Sequence, residues 1–255
     1  MKAGLLAALC LLAAPEARPD GPTLQVSGAG TRTVVLQSGL GDDAQVWDAL
    51  RPLLERHYRV VRIDRPGYGA SAPTTAPRDP CTIADETRDR LVQAGIAPPW
   101  LLVGHSLGGL YQYVFARRHP AETGGLVLLD PTHPAHWTTM QQEAPGLATA
   151  LRAMRTLAFS DTARAEFDAQ AACLDSLDER APLHRPTRIL VSDRPGPLEN
   201  AHYRAMLGRL RLDWLRRLDS PDLQVVWDSG HYLQREVPQD VADAIDAVAR
   251  EAVAP

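Results

Sequence analysis

Short apolar runs alternate with segments of helical spacing along most of this chain. The runs are mostly apolar at consecutive positions, which is typical of strands buried on both faces. They lie at Thr33 to Gln37, Tyr58 to Ile63, Trp100 to Val103, Leu126 to Leu129, Arg188 to Ser192 and Leu223 to Trp227, with a weaker candidate at Thr23 to Val26. Such alternation builds a parallel sheet covered by helices on both faces. We therefore predict an α/β fold with a mostly parallel sheet.

Helices are predicted between these strands. They lie at Gln45 to Arg56, Ile83 to Ala94 and Leu107 to Arg118, and a closing helix begins at Val237. In the closing segment apolar residues recur every three or four positions, so one face is expected to dock on the sheet.

One long segment interrupts the alternation. Residues 131–186 contain no convincing strand, and this length is too great for a plain loop. Leu147, Leu151 and Met154 follow a helical period. We predict a small helical cap, inserted after the strand that ends at Asp130.

Composition limits the class of protein. Apolar residues make up 45% of the 255 residues and charged residues 23%, as in soluble globular domains. The formal net charge is −4 and neither sign forms a long block, which disfavours nucleic-acid binding. The expected partner is a small molecule, and the sequence leaves the oligomeric state open.

The first residues have the pattern of a secretory signal. Lys2 is followed by an uncharged apolar stretch from Ala3 to Ala14, which is too short to span a bilayer. We expect residues 1–17 to be a signal peptide and residues 18–255 the α/β domain, with no stable membrane span. The predicted location is periplasmic or secreted, and cytoplasmic is the alternative.

Removal of that leader would leave two cysteines, Cys81 and Cys173. An even number suits one disulfide in an oxidising compartment. Two unrelated buried thiols are the alternative, because the sequence does not give the distance between the two residues.

A candidate nucleophile lies at the end of one predicted strand. Residues 104–108 read Gly-His-Ser-Leu-Gly, which matches G-x-S-x-G between an apolar run and a helical stretch. A serine on such a sharp turn needs neighbours without side chains, and Gly104 and Gly108 meet that need. The glycine spacing fits neither a dinucleotide fingerprint nor a phosphate loop. We predict Ser106 as the nucleophile of a hydrolase.

A serine hydroxyl needs a positioned base, and a histidine is expected in this kind of site. His231 follows the last predicted strand and precedes the closing helix, so it belongs at the carboxyl ends of the strands. His105 is expected to pack or hydrogen-bond behind the serine. His133 and His136 form H-x-x-H without a third ligand at suitable spacing, so neither a metal nor a cofactor is predicted.

Together these motifs resemble the α/β-hydrolase superfamily from about residue 33 to 255. Residues 38–41, Ser-Gly-Leu-Gly, resemble the oxyanion loop of that family, and residues 64–71 resemble its D-x-P-G-x-G-x-S turn. The serine turn and the Gly-His near the end complete the series. The resemblance implies that the backbone N–H groups of Leu40 and Leu107 bind the oxyanion of a tetrahedral intermediate.

Two aspartates compete for the role of the acid. Asp64 is expected to be structural, because it precedes the nucleophile whereas the family order is serine, acid, histidine. Asp130 ends one predicted strand, where some family members carry the acid. Asp193 follows the next predicted strand at the more usual position, but it abuts the strand instead of lying a few residues beyond it. We favour Asp130, with Asp193 as the alternative.

These residues predict acyl transfer to water, with a carboxylesterase acting on a small-molecule ester as the leading function. Amidase, lactonase, perhydrolase and acyltransferase chemistry would use the same groups. Related epoxide hydrolases and haloalkane dehalogenases use an aspartate nucleophile, so the serine argues against both. A non-catalytic binding protein that keeps the fold is the alternative of a different class.

Overall fold

The computed structural model describes residues 21–196, 199–220 and 223–252. The expected signal peptide, residues 1–17, lies outside the described residues. In the described part the strands are β1 Thr23–Ser27, β2 Thr33–Gln37, β3 Arg59–Asp64, β4 Trp100–His105, β5 Thr123–Leu129, β6 Thr187–Ser192 and β7 Leu223–Val226.

These strands form one twisted sheet in the order β1-β3-β2-β4-β5-β6-β7. β1 is antiparallel to β3, and every other neighbouring pair is parallel. The chain leaves β2 towards β3 on one side and returns to β4 on the other. The crossing direction therefore reverses between β2 and β4, and a crevice at their carboxyl ends is the usual ligand site of such a sheet.

Helices cover both faces of the sheet. Their bounds are α1 Arg51–Leu54, α2 Pro80–Gln93, α3 Leu107–Arg118, α4 His136–Glu143, α5 Pro145–Ala158, α6 Asp161–Ala169, α7 Ala201–Arg217, α8 Leu233–Glu236 and α9 Pro238–Glu251. One buried cluster joins α2, α3 and the end of α7 to the sheet, and a second joins α1 and α9 to the opposite face. The predicted mostly parallel α/β sheet is confirmed.

The prediction of one helix from Gln45 to Arg56 is wrong. The segment instead forms a 3₁₀ turn, Ala44–Trp47, followed by the short helix α1. Pro52 has no backbone N–H and is favoured only in a first helical turn, where α1 places it. The last strand is also shorter than predicted, because Trp227 has left the sheet and is 76% exposed.

The predicted cap is helical. α4, α5 and α6 all lie between β5 and β6, and they share a small core with α7. Trp137, Met140 and Phe167 are buried in this core, whereas Met154 on α5 is 43% exposed. No helix in the described part of the chain is both long and apolar enough to cross a membrane.

A disulfide bond joins Cys81 in the first turn of α2 to Cys173 shortly after α6. The two residues are 92 positions apart in the sequence, so the bond links the end of the cap to the main domain. Closing a loop of this size restricts the unfolded chain and so stabilises the fold.

We expect reduction to lower the thermal stability measurably. In the chain-entropy picture a loop of about 100 residues is worth at most about 4.7 kcal/mol, and each kcal/mol shifts the Tm of a domain this large by about 2–4 °C. The Tm should therefore fall by roughly 10 °C on reduction, and a Cys81→Ser, Cys173→Ser double variant should not respond to reductant. Two reactive thiols in the unfolded, unreduced protein that starts after residue 17 would contradict the bond.

Candidate active site

Ser106 occupies the sharp turn between β4 and α3. Its backbone is left-handed, with φ 53° and ψ −121°, a conformation that costs a non-glycine residue about 1–3 kcal/mol. Its N–H donates to the carbonyl of Leu129 at 2.9 Å, and its carbonyl accepts from the N–H groups of Gly109 and Thr132, also at 2.9 Å. These bonds hold the strained turn at the carboxyl ends of β4 and β5.

Glycine is required on both sides of this turn. A Cβ on Gly104 would lie 2.4 Å from the carbonyl oxygen of Gly108, and a Cβ on Gly108 would lie 2.2 Å from the carbonyl oxygen of Gln37. Both distances are far below contact distance, so the close approach of β4, α3 and the end of β2 depends on the two glycines.

The loop of residues 38–41 follows β2 and passes beside the serine. A Cβ on Gly39 would lie 3.1 Å from the Cβ of Ser106, so the backbone of this loop is in close contact with the serine turn. Leu40 is the next residue after Gly39, and Leu107 is the next after Ser106 and begins α3. The two predicted oxyanion donors therefore flank this contact.

His231 lies in the loop between β7 and α8, where its Nδ1 is 3.0 Å from Oδ2 of Asp130. The imidazole is half exposed, at 49%, whereas the carboxylate is only 13% exposed. A carboxylate can only accept, so Nδ1 carries the proton and Nε2 is free to accept one when the ring is neutral. Ser192 Oγ donates to the same Oδ2 at 2.7 Å.

Asp130 is ionised in this setting. Burial alone would raise the pKa of its carboxyl, but the hydrogen bond and charge of His231 and the bond from Ser192 outweigh burial and hold the pKa below its ordinary value. Arg211 on α7 adds a guanidinium 3.3 Å from Oδ1. The carboxylate is therefore charged at neutral pH and is held from several sides.

Asp193 lies in a different place. Its Oδ1 accepts from the backbone N–H of Ser229 at 3.1 Å, two residues before His231. The structure thus brings Asp130 to the imidazole and Asp193 to the backbone of the loop that carries it. Asp64 is also engaged elsewhere, since its Oδ1 accepts from the N–H of Ala44 at 2.7 Å.

The other histidines of the region have partners within the protein. His105 contacts the carbonyl of His231 through Nε2 at 2.8 Å, and burial followed by the nearby His231 ring lowers its pKa to about 3. It is therefore neutral and supports the His231 loop. His133 contacts Asp213 at 3.0 Å and His136 contacts the hydroxyl of Tyr203 at 2.8 Å.

Ser106, Asp130 and His231 all border one cavity of about 250 Å³. α7 contributes the apolar side chains of Leu207, Leu210 and Trp214 and the charged Arg211 to a wall that is otherwise largely polar. Sequence reasoning missed this helix, although its apolar residues at positions 203, 207, 210 and 214 recur at helical spacing and Asn200 caps its first turn.

Residues 34–244 match the model of the alpha/beta hydrolase family. The match covers well over half of the chain, and the protein belongs to this family.

Among its relatives is the pimeloyl-[acyl-carrier protein] methyl ester esterase of Serratia marcescens, 28% identical over 238 residues that cover 88% of this chain and 84% of the relative. The enzyme of the same name from Edwardsiella ictaluri is 40% identical over 100 residues, 39% of this chain and 36% of the relative. The uncharacterized protein YbdG of Bacillus subtilis is 30% identical over 47% of this chain. In these last two matches the chain spans less than two fifths of the relative's length.

Solved structures share the fold. The epoxide hydrolase CorEH superposes with a TM-score of 0.68 and 19% identity, over 91% of this chain and 95% of its own. An esterase from Thermogutta terrifontis has a TM-score of 0.66 and 22% identity, over 91% and 93% of the two chains. One fold therefore supports both chemistries, and the residues of the site decide between them.

Proposed function

We propose that the protein is a serine hydrolase that cleaves carboxylic esters through an acyl-enzyme on Ser106. One observation carries the proposal: the serine shares a cavity with His231, whose Nδ1 is hydrogen-bonded to the carboxylate of Asp130. This is the arrangement that activates a serine hydroxyl for acyl transfer. Relatives named as methyl ester esterases support an ester as the substrate.

In the first half of the reaction Ser106 Oγ attacks the ester carbonyl while Nε2 of His231 takes its proton. Asp130 holds the required tautomer and stabilises the imidazolium that forms. The negative charge that develops on the carbonyl oxygen is bound by the N–H groups of Leu40 and Leu107, near the positive end of α3.

In the second half the imidazolium gives its proton to the leaving alkoxide, and a water then attacks the acyl-enzyme with His231 again as base. The half-exposed imidazole leaves this water a path to the acyl group. Release of the carboxylic acid regenerates the free serine.

A fluorophosphonate separates this proposal from a binding protein that merely keeps the fold. We expect the reagent to add covalently to Ser106, found by mass spectrometry of the peptide that contains it, since only an activated serine displaces fluoride rapidly. A folded protein that stays unlabelled would favour the binding protein. Amidase, lactonase, perhydrolase and acyltransferase activities share the labelling. The ester is preferred because the Serratia marcescens relative, matched over 88% of this chain, is named a methyl ester esterase.

The size of the cavity predicts a preference for short acyl groups. A volume of about 250 Å³ lies just below the range of about 300–1,000 Å³ that accommodates drug-sized ligands. We expect kcat/KM for nitrophenyl esters to be highest among acetyl to hexanoyl groups and to fall at least about tenfold by dodecanoyl, because methylenes that do not fit lose their transfer free energy.

Two variants of α7 test whether this cavity receives the acyl chain. Leu210 lines the cavity, so Leu210→Ala should move the optimum to longer acyl groups. Leu212 on the same helix is 68% exposed and does not line the cavity, so Leu212→Ala should leave the profile unchanged. If kcat/KM depended on acyl-chain length in the same way in both variants, the acyl chain would lie outside this cavity.

We also propose that the protein works in an oxidising compartment outside the cytoplasm. The Cys81–Cys173 bond supports this location, because disulfides persist mainly in exported proteins. Sequencing of the N-terminus of the mature protein tests it, and an intact Met1 would contradict cleavage of the leader.

A further inference from the structure

A fully buried arginine lies directly behind the oxyanion loop. Arg65 is the first residue after β3, and its side chain is 1% exposed. Its Nη1 donates to the carbonyl of Ser38 at 2.7 Å and its Nη2 to the carbonyl of Gly39 at 2.8 Å. The guanidinium thus binds the two consecutive carbonyls that precede Leu40.

The charge of this arginine is balanced by a residue of the cap. Glu166 on α6 has no exposed surface and receives two hydrogen bonds from the guanidinium, from Nε at 2.8 Å and from Nη2 at 2.9 Å. The hydroxyl of Tyr68 donates to the same carboxylate at 3.0 Å and lies 3.4 Å from the backbone N–H of Gly41. Both ends of the oxyanion loop therefore connect to one carboxylate of the cap.

The planarity of the peptide bond turns this contact into a constraint on the oxyanion hole. In a trans peptide the carbonyl and the following N–H point in opposite directions. The carbonyl of Gly39 and the N–H of Leu40 belong to the same peptide plane, so a guanidinium that holds the carbonyl from behind fixes the direction of the N–H. An oxyanion donor acts only when it is held at the position where the charge develops.

We propose that Arg65, held by Glu166 of the cap, is a positioning residue that aims the N–H of Leu40 at the oxyanion, so that the hole is formed only when α6 is docked. This inference rests on the proposed ester hydrolysis, because it assigns a role in the transition state of that reaction. A positioning role also explains why the Arg65–Glu166 ion pair lies in the protein interior, although the removal of both charges from water is costly.

The test compares Arg65→Lys with a matched exchange at Arg88. Lysine keeps the charge but lacks the planar fork that reaches Glu166 and both carbonyls. Loss of one oxyanion donor lowers kcat by about a hundredfold to a thousandfold, and we expect Arg65→Lys to lower kcat at least about thirtyfold with little change in KM. Arg88 also binds a glutamate through two nitrogens, at 2.8 and 2.7 Å to Glu122, outside the site, so Arg88→Lys should retain kcat.

The measurements separate positioning from stability. Rates are expressed per active site titrated with a fluorophosphonate, so a loss of folded protein alone does not lower kcat. Affinity for a trifluoromethyl ketone ester analogue, whose serine adduct carries an oxyanion, should fall in parallel with kcat/KM. Retention of both in Arg65→Lys would overturn this inference, whereas an inactive and unlabelled wild type would overturn the proposed function and the inference with it.

A second variant covers the case in which Arg65→Lys does not fold. Glu166→Gln keeps the shape of the side chain and the bonds of the guanidinium to the two carbonyls, but it removes the charge that anchors the arginine. We expect kcat to fall about tenfold, again with KM nearly constant and weaker binding of the trifluoromethyl ketone. An unchanged kcat and ketone affinity in Glu166→Gln would show that the cap does not position the oxyanion loop.

Discussion

Replacement of Ser106 by alanine should lower the rate of ester hydrolysis at least about a thousandfold, the range found when the nucleophile of a serine triad is removed. Alanine deletes only the oxygen that we propose forms the acyl-enzyme. The backbone bonds of residue 106 to Leu129, Gly109 and Thr132 do not involve that oxygen, so the turn should persist. The measurement is kcat for a short-chain ester, with circular dichroism and Tm compared with those of the wild type.

The strained backbone of Ser106 makes a glycine variant a useful second test. Alanine and serine have similar backbone preferences, so Ser106→Ala carries no new backbone penalty at φ 53°. Ser106→Gly would relieve strain and should raise the Tm slightly while it abolishes turnover equally. Ester hydrolysis that survives in both folded variants would show that another residue is the nucleophile.

The sheet was predictable because its signal is local. Six apolar runs, most of them separated by predicted helical segments, are enough to place β2 to β7. The weaker first run is the antiparallel edge strand β1. The position of Ser106 followed from the same logic, since a G-x-S-x-G turn between a strand and a helix has few other meanings. The family match and the structural neighbours confirm this fold.

The missed helix α7 shows where local signals fail. Its mean composition is polar, with arginines at several positions, and only Met206 and Trp214 are buried. Because the helix packs partly on the cap and partly on the sheet, its apolar residues at positions 203, 207, 210 and 214 form only a narrow stripe among charged residues. The helix nevertheless supplies the cavity wall and Arg211 beside Asp130.

Contacts between distant residues were also beyond sequence reasoning. Arg65 and Glu166 are 101 positions apart, and neither occurs in a pattern that indicates burial. Charged residues are rarely buried unless they are paired. Because the sequence does not show that these two residues form an ion pair, it favours a surface position for both. The Cys81–Cys173 bond could be suggested only because cysteines are few and an even number remained.

Among the matched pairs of variants, Asp130→Asn and Asp193→Asn should show the largest difference in kcat. Asp130→Asn keeps the size of the side chain but offers the imidazole an amide, which disfavours the tautomer with the proton on Nδ1 and does not stabilise the imidazolium. In serine proteases the same exchange lowers turnover about ten thousandfold. We expect a loss of this order in kcat at neutral pH for Asp130→Asn.

Asp193→Asn is the matched control, and we expect it to change kcat by less than about tenfold. The carboxylate of Asp193 accepts from the backbone N–H of Ser229, and the carbonyl oxygen of asparagine can accept the same bond. Both variants should be compared at equal folded fraction, measured by Tm and circular dichroism. A severe loss in Asp193→Asn with an active Asp130→Asn would move the acid to the end of β6.

The pH dependence of the Tm distinguishes loss of the carboxylate of Asp130 from a general disturbance of the cavity. The pKa of Asp130 lies below its ordinary value, so the carboxylate stabilises the folded wild type at neutral pH, and that contribution is lost as the pH falls through the pKa of the folded state. Asp130→Asn removes this dependence, so its Tm should fall less than that of the wild type between neutral pH and about pH 3. If kcat fell but the Tm of Asp130→Asn decreased with acid as far as that of the wild type, Asp130 would not have the lowered pKa that its bond to His231 implies.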